Sequence, residues 1–109
     1  MTTAAHTDRD AAVLDRVRSI VFERLAGRPA RVYLFGSWAT GTRRRSSDID
    51  VAIEASAPLP TGMLAGLREA LEESTIPYRV EVVDLTEASP AFRERVRREG
   101  IAWTVSASA

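Results

Sequence analysis

The stretch LFGSWATGTRRRSSDIDVAI, Leu34–Ile53, holds the residues on which the reading of this chain turns. It opens on the end of a β-prone run, Arg31–Phe35, which Gly36 and Ser37 break. Trp38–Gly41 reads as a short helical turn, TRRRSS as a polar loop, and Ile49–Glu54 as a second strand. Alternation sends Asp48 and Asp50 to one face of that strand, and Ile49 and Val51 to the other. Two carboxylates roughly 6–7 Å apart along a strand repel, and each resists ionisation beside the other. A divalent cation converts that conflict into a binding site. The chain has no cysteine and its single histidine, His6, lies in the N-terminal tail. Oxygen-only ligands of this kind favour hard Mg²⁺ or Mn²⁺. Taken alone, the Asp-x-Asp pair reads more readily as a capped loop or a solvated turn than as a chemical site. The turn ahead of it changes the weighting. Glycine lets the backbone approach a ligand closely, a helix start offers free N–H groups, and Ser37 adds a hydroxyl. Together the two features suggest a triphosphate held by backbone amides and bridged to carboxylates by metal.

Outward from this block, the apolar positions Ala12, Val13, Val17, Ile20, Val21 and Leu25 predict a helix from Asp8 or Asp10. Gly27 and Pro29 end it. Thr61–Ser74 reads as a second long helix, with Met63, Leu64, Leu67, Ala70 and Leu71 on one face. Tyr78–Leu85, YRVEVVDL, is a third strand. It supplies two more acids, Glu81 and Asp84, which face opposite sides because they stand three positions apart. Alternation does not say which of them joins Asp48 and Asp50. Ser89-Pro90 starts a last helix that runs to Glu99 and stops at Gly100, and IAWTV, Ile101–Val105, suits a final short strand. The order α-β-α-β-α-β-α-β predicts an α/β or α+β sandwich, with helices covering a small sheet of about four strands. One domain over residues 1–109 is expected, with its ordered core at about 8–104.

Composition narrows the function classes. The chain is 45% hydrophobic and 28% charged, which suits a globular protein. Its 15 acidic and 15 basic residues cancel, which argues against a dedicated nucleic-acid binder. Every basic residue is arginine, a pattern read as coding bias. Without cysteine there is no disulfide, zinc–thiolate site or thiol catalysis. No apolar run approaches the roughly 20 residues needed to span a bilayer, and the N-terminus lacks signal-peptide features. A cytoplasmic protein without membrane attachment is expected.

The block GSWATGTRRRSSDID resembles the signature of the polymerase-β-like nucleotidyltransferases: Gly-Ser, a variable spacer, then Asp-x-Asp. The small size and the segment VEVVDL…SPAFRERVRREGIAW are similar to the minimal nucleotidyltransferases, the MNT or MntA-like proteins. The resemblance covers Arg31–Trp103. It implies the nucleotidyltransferase fold, with a small mixed sheet flanked by helices. It also implies that Gly36 and Ser37 hold the nucleotide phosphates and that Asp48 and Asp50 bind two Mg²⁺ ions. A third acid on the following core strand, which aligns on Glu81, would bind one ion and help activate the attacking hydroxyl. Two positions depart from the pattern. Glu81 stands where the family usually carries aspartate, and Thr40 stands where many relatives carry a basic residue. Arg43, Arg44 and Arg45 are the alternative source of positive charge toward the phosphates, or simply a solvated loop.

The implied reaction is attack of a hydroxyl on the α-phosphorus of ATP. The resemblance further implies a partner: such proteins are often paired with helical HEPN RNases in toxin–antitoxin operons. There they act as antitoxins, some by transferring AMP to a tyrosine of the toxin. The shortness of the chain, with little surface for a second substrate, points the same way. Two other readings stand beside it: a nucleotide-binding antitoxin that neutralises its partner by contact, and a transferase acting on a small molecule such as an aminoglycoside. Elsewhere the residues read structurally. Trp38 and Trp103 are expected to be semi-buried packing residues, Tyr33 part of a core strand, and His6 inert. The RERVRREG helix reads as an exposed amphipathic face, with Arg93, Arg97 and Arg98 available to an acidic partner.

Overall fold

The computed structural model describes residues 8–42 and 47–103. The chain runs α1 (Asp8–Leu25), β1 (Ala30–Phe35), α2 (Ser37–Thr40), β2 (Ile49–Ala55), α3 (Met63–Glu72) and β3 (Val80–Asp84). A 3₁₀ turn (Leu85–Glu87), α4 (Pro90–Glu99) and β4 (Ile101–Trp103) complete it. The strands form one sheet in the order β3-β2-β1-β4. β1 is antiparallel to both β2 and β4, whereas β2 and β3 run parallel, joined through α3. The sheet is therefore mixed, as the resemblance implies. Among the described residues no helix is long and apolar enough to cross a membrane.

Period-2 alternation gives the sheet two different faces. Val32 and Leu34 of β1, Ile49, Val51 and Ile53 of β2, and Val82 of β3 point to one side. There they meet Val17, Ile20, Val21 and Leu25 of α1 and Leu67 and Leu71 of α3 in the main core. On α1 these residues recur at helical spacing, so one stripe of the helix faces the sheet. The opposite side carries a smaller cluster of Tyr33, Ala52, Leu85 and Val96, with Phe35 and Phe92 packed against it. Those two phenyl rings meet edge to face, with centroids 5.6 Å apart. Ala52 is the small residue over which the 3₁₀ turn and α4 approach. Gly100 lets β4 follow α4 directly: a Cβ there would stand 2.6 Å from the Val96 carbonyl and 3.0 Å from that of Leu34.

Several boundaries differ from those the sequence suggests. β3 starts at Val80 rather than Tyr78, and Leu85 belongs to the 3₁₀ turn rather than the strand. The Asp84 carboxylate accepts from the Thr86 amide at 3.1 Å, so it caps that turn and ends the strand. α3 is shorter than Thr61–Ser74. At its end the Ser74 hydroxyl donates to the Leu71 carbonyl at 2.6 Å, as helix-terminal side chains do. β4 is described to Trp103, and Thr104 and Val105 lie outside the described residues.

Candidate functional site

The C-terminal end of β1 and the N-terminal ends of β2 and β3 meet at one end of the sheet, and the register there decides which acids share a face. Phe35 pairs with Asp50, and Asp50 pairs with Glu81. Asp84 instead pairs with Ile53, a core residue of the other face. In-register neighbours point the same way, so Glu81 stands beside Asp50 on the side carrying Tyr33 and Ala52. Asp84 is turned away and is engaged with Thr86. The face left undecided by alternation is therefore the Glu81 face.

The acids at this end feel one another. Burial, and then the negative charges of Asp48 and Glu81, push the Asp50 carboxyl above its ordinary value of 3.8. The donor set is all oxygen and suits a hard divalent cation. Glu81 nevertheless has a protein partner, the Arg79 guanidinium at 3.1 Å. Among the described residues no three acids or histidines are arranged to hold a metal ion. Arg79 competes with any such cation for the Glu81 carboxylate.

Gly36 is tied to this pair by geometry. Its φ of +77° belongs to the region that disfavours side chains, and an added Cβ would overlap the Asp50 carboxylate. The turn that follows is short. The Ala39 and Thr40 amides donate to the Gly36 carbonyl at 3.0 and 3.1 Å, and those of Gly41 and Thr42 donate to the Ser37 carbonyl. The Ser37 amide precedes the first of these bonds. Trp38 is fully buried rather than half-buried. Its ring meets Tyr78 edge to face, and its Nε1–H donates to the Ser47 carbonyl at 3.2 Å. One side chain thus anchors the Gly-Ser turn in the core and holds the residue preceding Asp48.

Beside the turn lies a groove of about 320 Å³, lined by Gly36, Ser37, Thr40, Thr42, Arg95 and Glu99 among others. Thr42, Arg95 and Glu99 are groove-lining residues that the sequence does not single out. The available signal is helical spacing: Phe92, Arg95, Val96 and Glu99 stand at i, i+3, i+4 and i+7 on one face of α4. Arg93 and Arg97, read as available to a partner, are engaged within the chain. Arg93 donates to the Ala88 carbonyl at 2.7 Å, and Arg97 pairs with Glu54 of β2. Arg43, Arg44 and Arg45, read as a possible phosphate contact, and His6 lie outside the described residues. A wider cleft of about 1010 Å³ runs between α3 and the β3 edge, with Arg68, Tyr78, Arg79 and Glu81 among its walls.

Residues 21–104 match the family described as Polymerase beta, Nucleotidyltransferase. This chain belongs to that nucleotidyltransferase family. It is 34% identical to the probable protein adenylyltransferase MntA of Haemophilus influenzae, over 90% of this chain and 84% of that protein. Among solved structures, the nucleotidyltransferase resembles a putative minimal nucleotidyltransferase with a TM-score of 0.68 and 30% identity, covering 90% of this chain and 98% of that one. It also resembles a chain of a toxin–antitoxin crystal structure with AMP-PNP (TM-score 0.64, 30% identity, 83% of this chain and 75% of that one). The mixed four-stranded sheet with flanking helices is the nucleotidyltransferase fold.

Proposed function

We propose that this nucleotidyltransferase transfers AMP from ATP to a tyrosine hydroxyl of a HEPN-type toxin, and so acts as the antitoxin of a pair. The observation that carries the reading is the register that sets Glu81 beside Asp50, whose carboxylate lies against Gly36 and feels the negative charge of Asp48. The likeness to an adenylyltransferase and to a toxin–antitoxin chain with an ATP analogue supports the donor and the class of acceptor. Gly36 and Ser37 would cradle the phosphates. Asp48, Asp50 and Glu81 would hold two Mg²⁺ ions, which when bound lower the pKa of the attacking hydroxyl and neutralise the leaving group. The acceptor oxygen forms its bond to the α-phosphorus as the bond to the pyrophosphate bridging oxygen breaks, and the hydroxyl proton passes to the Glu81 carboxylate. Most of the rate comes from position and charge, so few side chains suffice.

The test is the intact mass of the partner after incubation with this protein, ATP and Mg²⁺. A gain of one or more AMP units, lost with Asp50→Asn, is the expected result. A stable complex in which the partner is silenced but gains no mass would favour the second reading, neutralisation by contact. One observation keeps that reading in play: Glu81 is paired with Arg79 rather than gathered with the two aspartates.

A further inference from the structure

We propose that Arg95 is the residue that holds the distal phosphates of the nucleotide, in the groove beside Gly36 and Ser37; this rests on the nucleotide reading above and assigns a residue within it. α4 carries four arginines, and their surroundings separate them. Arg93 is turned back to the Ala88 carbonyl ahead of its helix, and Arg97 is bound to Glu54 on β2. Arg98 lies within 3.8 Å of Glu99 and is not among the groove residues. Arg95 supplies the positive charge among the described residues that line the groove.

Gly36 links the groove to the carboxylates: it lies against Asp50 and is also one of the groove's lining residues. A nucleotide whose α-phosphorus sits at the aspartates therefore extends past Gly36 along Ser37, Thr40 and Thr42. That wall offers three hydroxyls. Thr40 and Thr42 bring theirs within 2.9 Å of each other, the Thr40 hydroxyl also donates to the Gly36 carbonyl at 3.3 Å, and Arg95 lines the same groove. Hydroxyls and a forked cation match phosphate oxygens. The aromatic members, Phe35 and Phe92, are occupied with one another edge to face.

The present partner of Arg95 is weak enough to exchange. Its Nε is 3.4 Å from the Glu99 carboxylate, with the side chains 68% and 47% exposed. Exposed pairs at i, i+4 contribute little, whereas bidentate bonds to a phosphate are among the strong ones. Glu99 also brings negative charge to the groove and competes for the same guanidinium. The two residues therefore act in opposite directions on a triphosphate.

The experiment is calorimetric titration of the whole protein with ATP and, separately, with AMP, both in Mg²⁺, for wild type, Arg95→Ala, Arg95→Lys and Glu99→Gln. The expected result is that Arg95→Ala weakens ATP binding about 10-fold and leaves AMP binding unchanged. Arg95→Lys should recover part of the loss, and Glu99→Gln should tighten ATP alone. In turnover, the KM for ATP should rise more than kcat falls. An equal loss for ATP and AMP would move Arg95 to the nucleoside end and overturn the inference, as would no loss for either. Wild-type protein that binds neither nucleotide would overturn the underlying nucleotide reading, and the assignment of Arg95 with it. Unfolding temperature serves as the control, because so exposed a side chain carries little of the fold.

Discussion

The two faces of the sheet are built from the same strands and put to different uses. On one, Val32, Leu34, Ile49, Val51, Ile53 and Val82 are closed over by α1 and α3. On the other, β2 runs from Asp50 through Ala52 to Glu54: a half-buried carboxylate beside Phe35, an alanine under the smaller cluster, and a glutamate paired with Arg97. α4 and the 3₁₀ turn pack on that face through Phe92, Val96 and Leu85. A strand with one side fully occupied cannot shift register without turning its whole apolar set outward. The closed face therefore fixes the strands that bring Asp50 and Glu81 side by side. Core residues and the acids of the candidate site occupy alternate positions of the same strands.

That division can be broken most directly with a pair of truncations. Leu67→Ala, in the closed core, is expected to cost about 2–5 kcal/mol. Phe92→Ala, in the half-covered cluster, should cost less, about 1–2 kcal/mol. Equal losses in urea unfolding would dismiss the contrast. Asp50→Asn should act in the opposite sense on fold and function. AMP transfer should fall on the order of 10²–10³-fold, while the metal-free protein becomes slightly more stable. The sign follows from the raised Asp50 carboxyl. Its ionised form is penalised by burial, Asp48 and Glu81, so the penalty acts above the raised value and disappears below the ordinary 3.8. The thermal advantage of the Asn variant should therefore shrink as pH is lowered toward that value. Gly36→Ala combines a disfavoured φ with overlap on Asp50. About 1–3 kcal/mol of strain is expected, along with loss of transfer.

Much of this was legible in the chain, and what was not has physical reasons. Alternation in IDVAIE is enough to separate Asp50 from Ile49 and Val51, and helical spacing is enough to find α1 and α3. The choice between Glu81 and Asp84 is not in the alternation, because both assignments satisfy it. It is settled by which residue of β3 stands beside Asp50, a non-local fact. Trp38 is fully buried where the sequence suggests half-burial, because a tryptophan next to a glycine-serine turn gives no local sign of being buried, or of donating to the Ser47 carbonyl. Arg95 was passed over for a related reason. Four arginines in ten residues look alike until Glu54 and the Ala88 carbonyl claim two of them. The Arg79–Glu81 pair was equally hidden, since i, i+2 partners need particular side-chain conformations rather than a spacing.

That last pair offers the smallest effect and a fine test of the acid-bearing face. Arg79 competes with a cation for the Glu81 carboxylate, and its guanidinium repels a cation approaching the same acids. Both terms have one sign, so Arg79→Ala should tighten metal binding. The pair is exposed, at 74% and 45% for its two side chains, and solvent screens it. Such pairs are worth about 0–1 kcal/mol, so the gain in Mn²⁺ affinity should be no more than about 5-fold. Titration followed by Mn²⁺ paramagnetic resonance reads it without any turnover, and unfolding should be unchanged. Affinity that stays the same or weakens would mean that Glu81 takes no part in holding the ion. The metal would then rest on Asp48 and Asp50 alone, and the added methylene of Glu81, relative to an aspartate, would have removed the third ligand from that face.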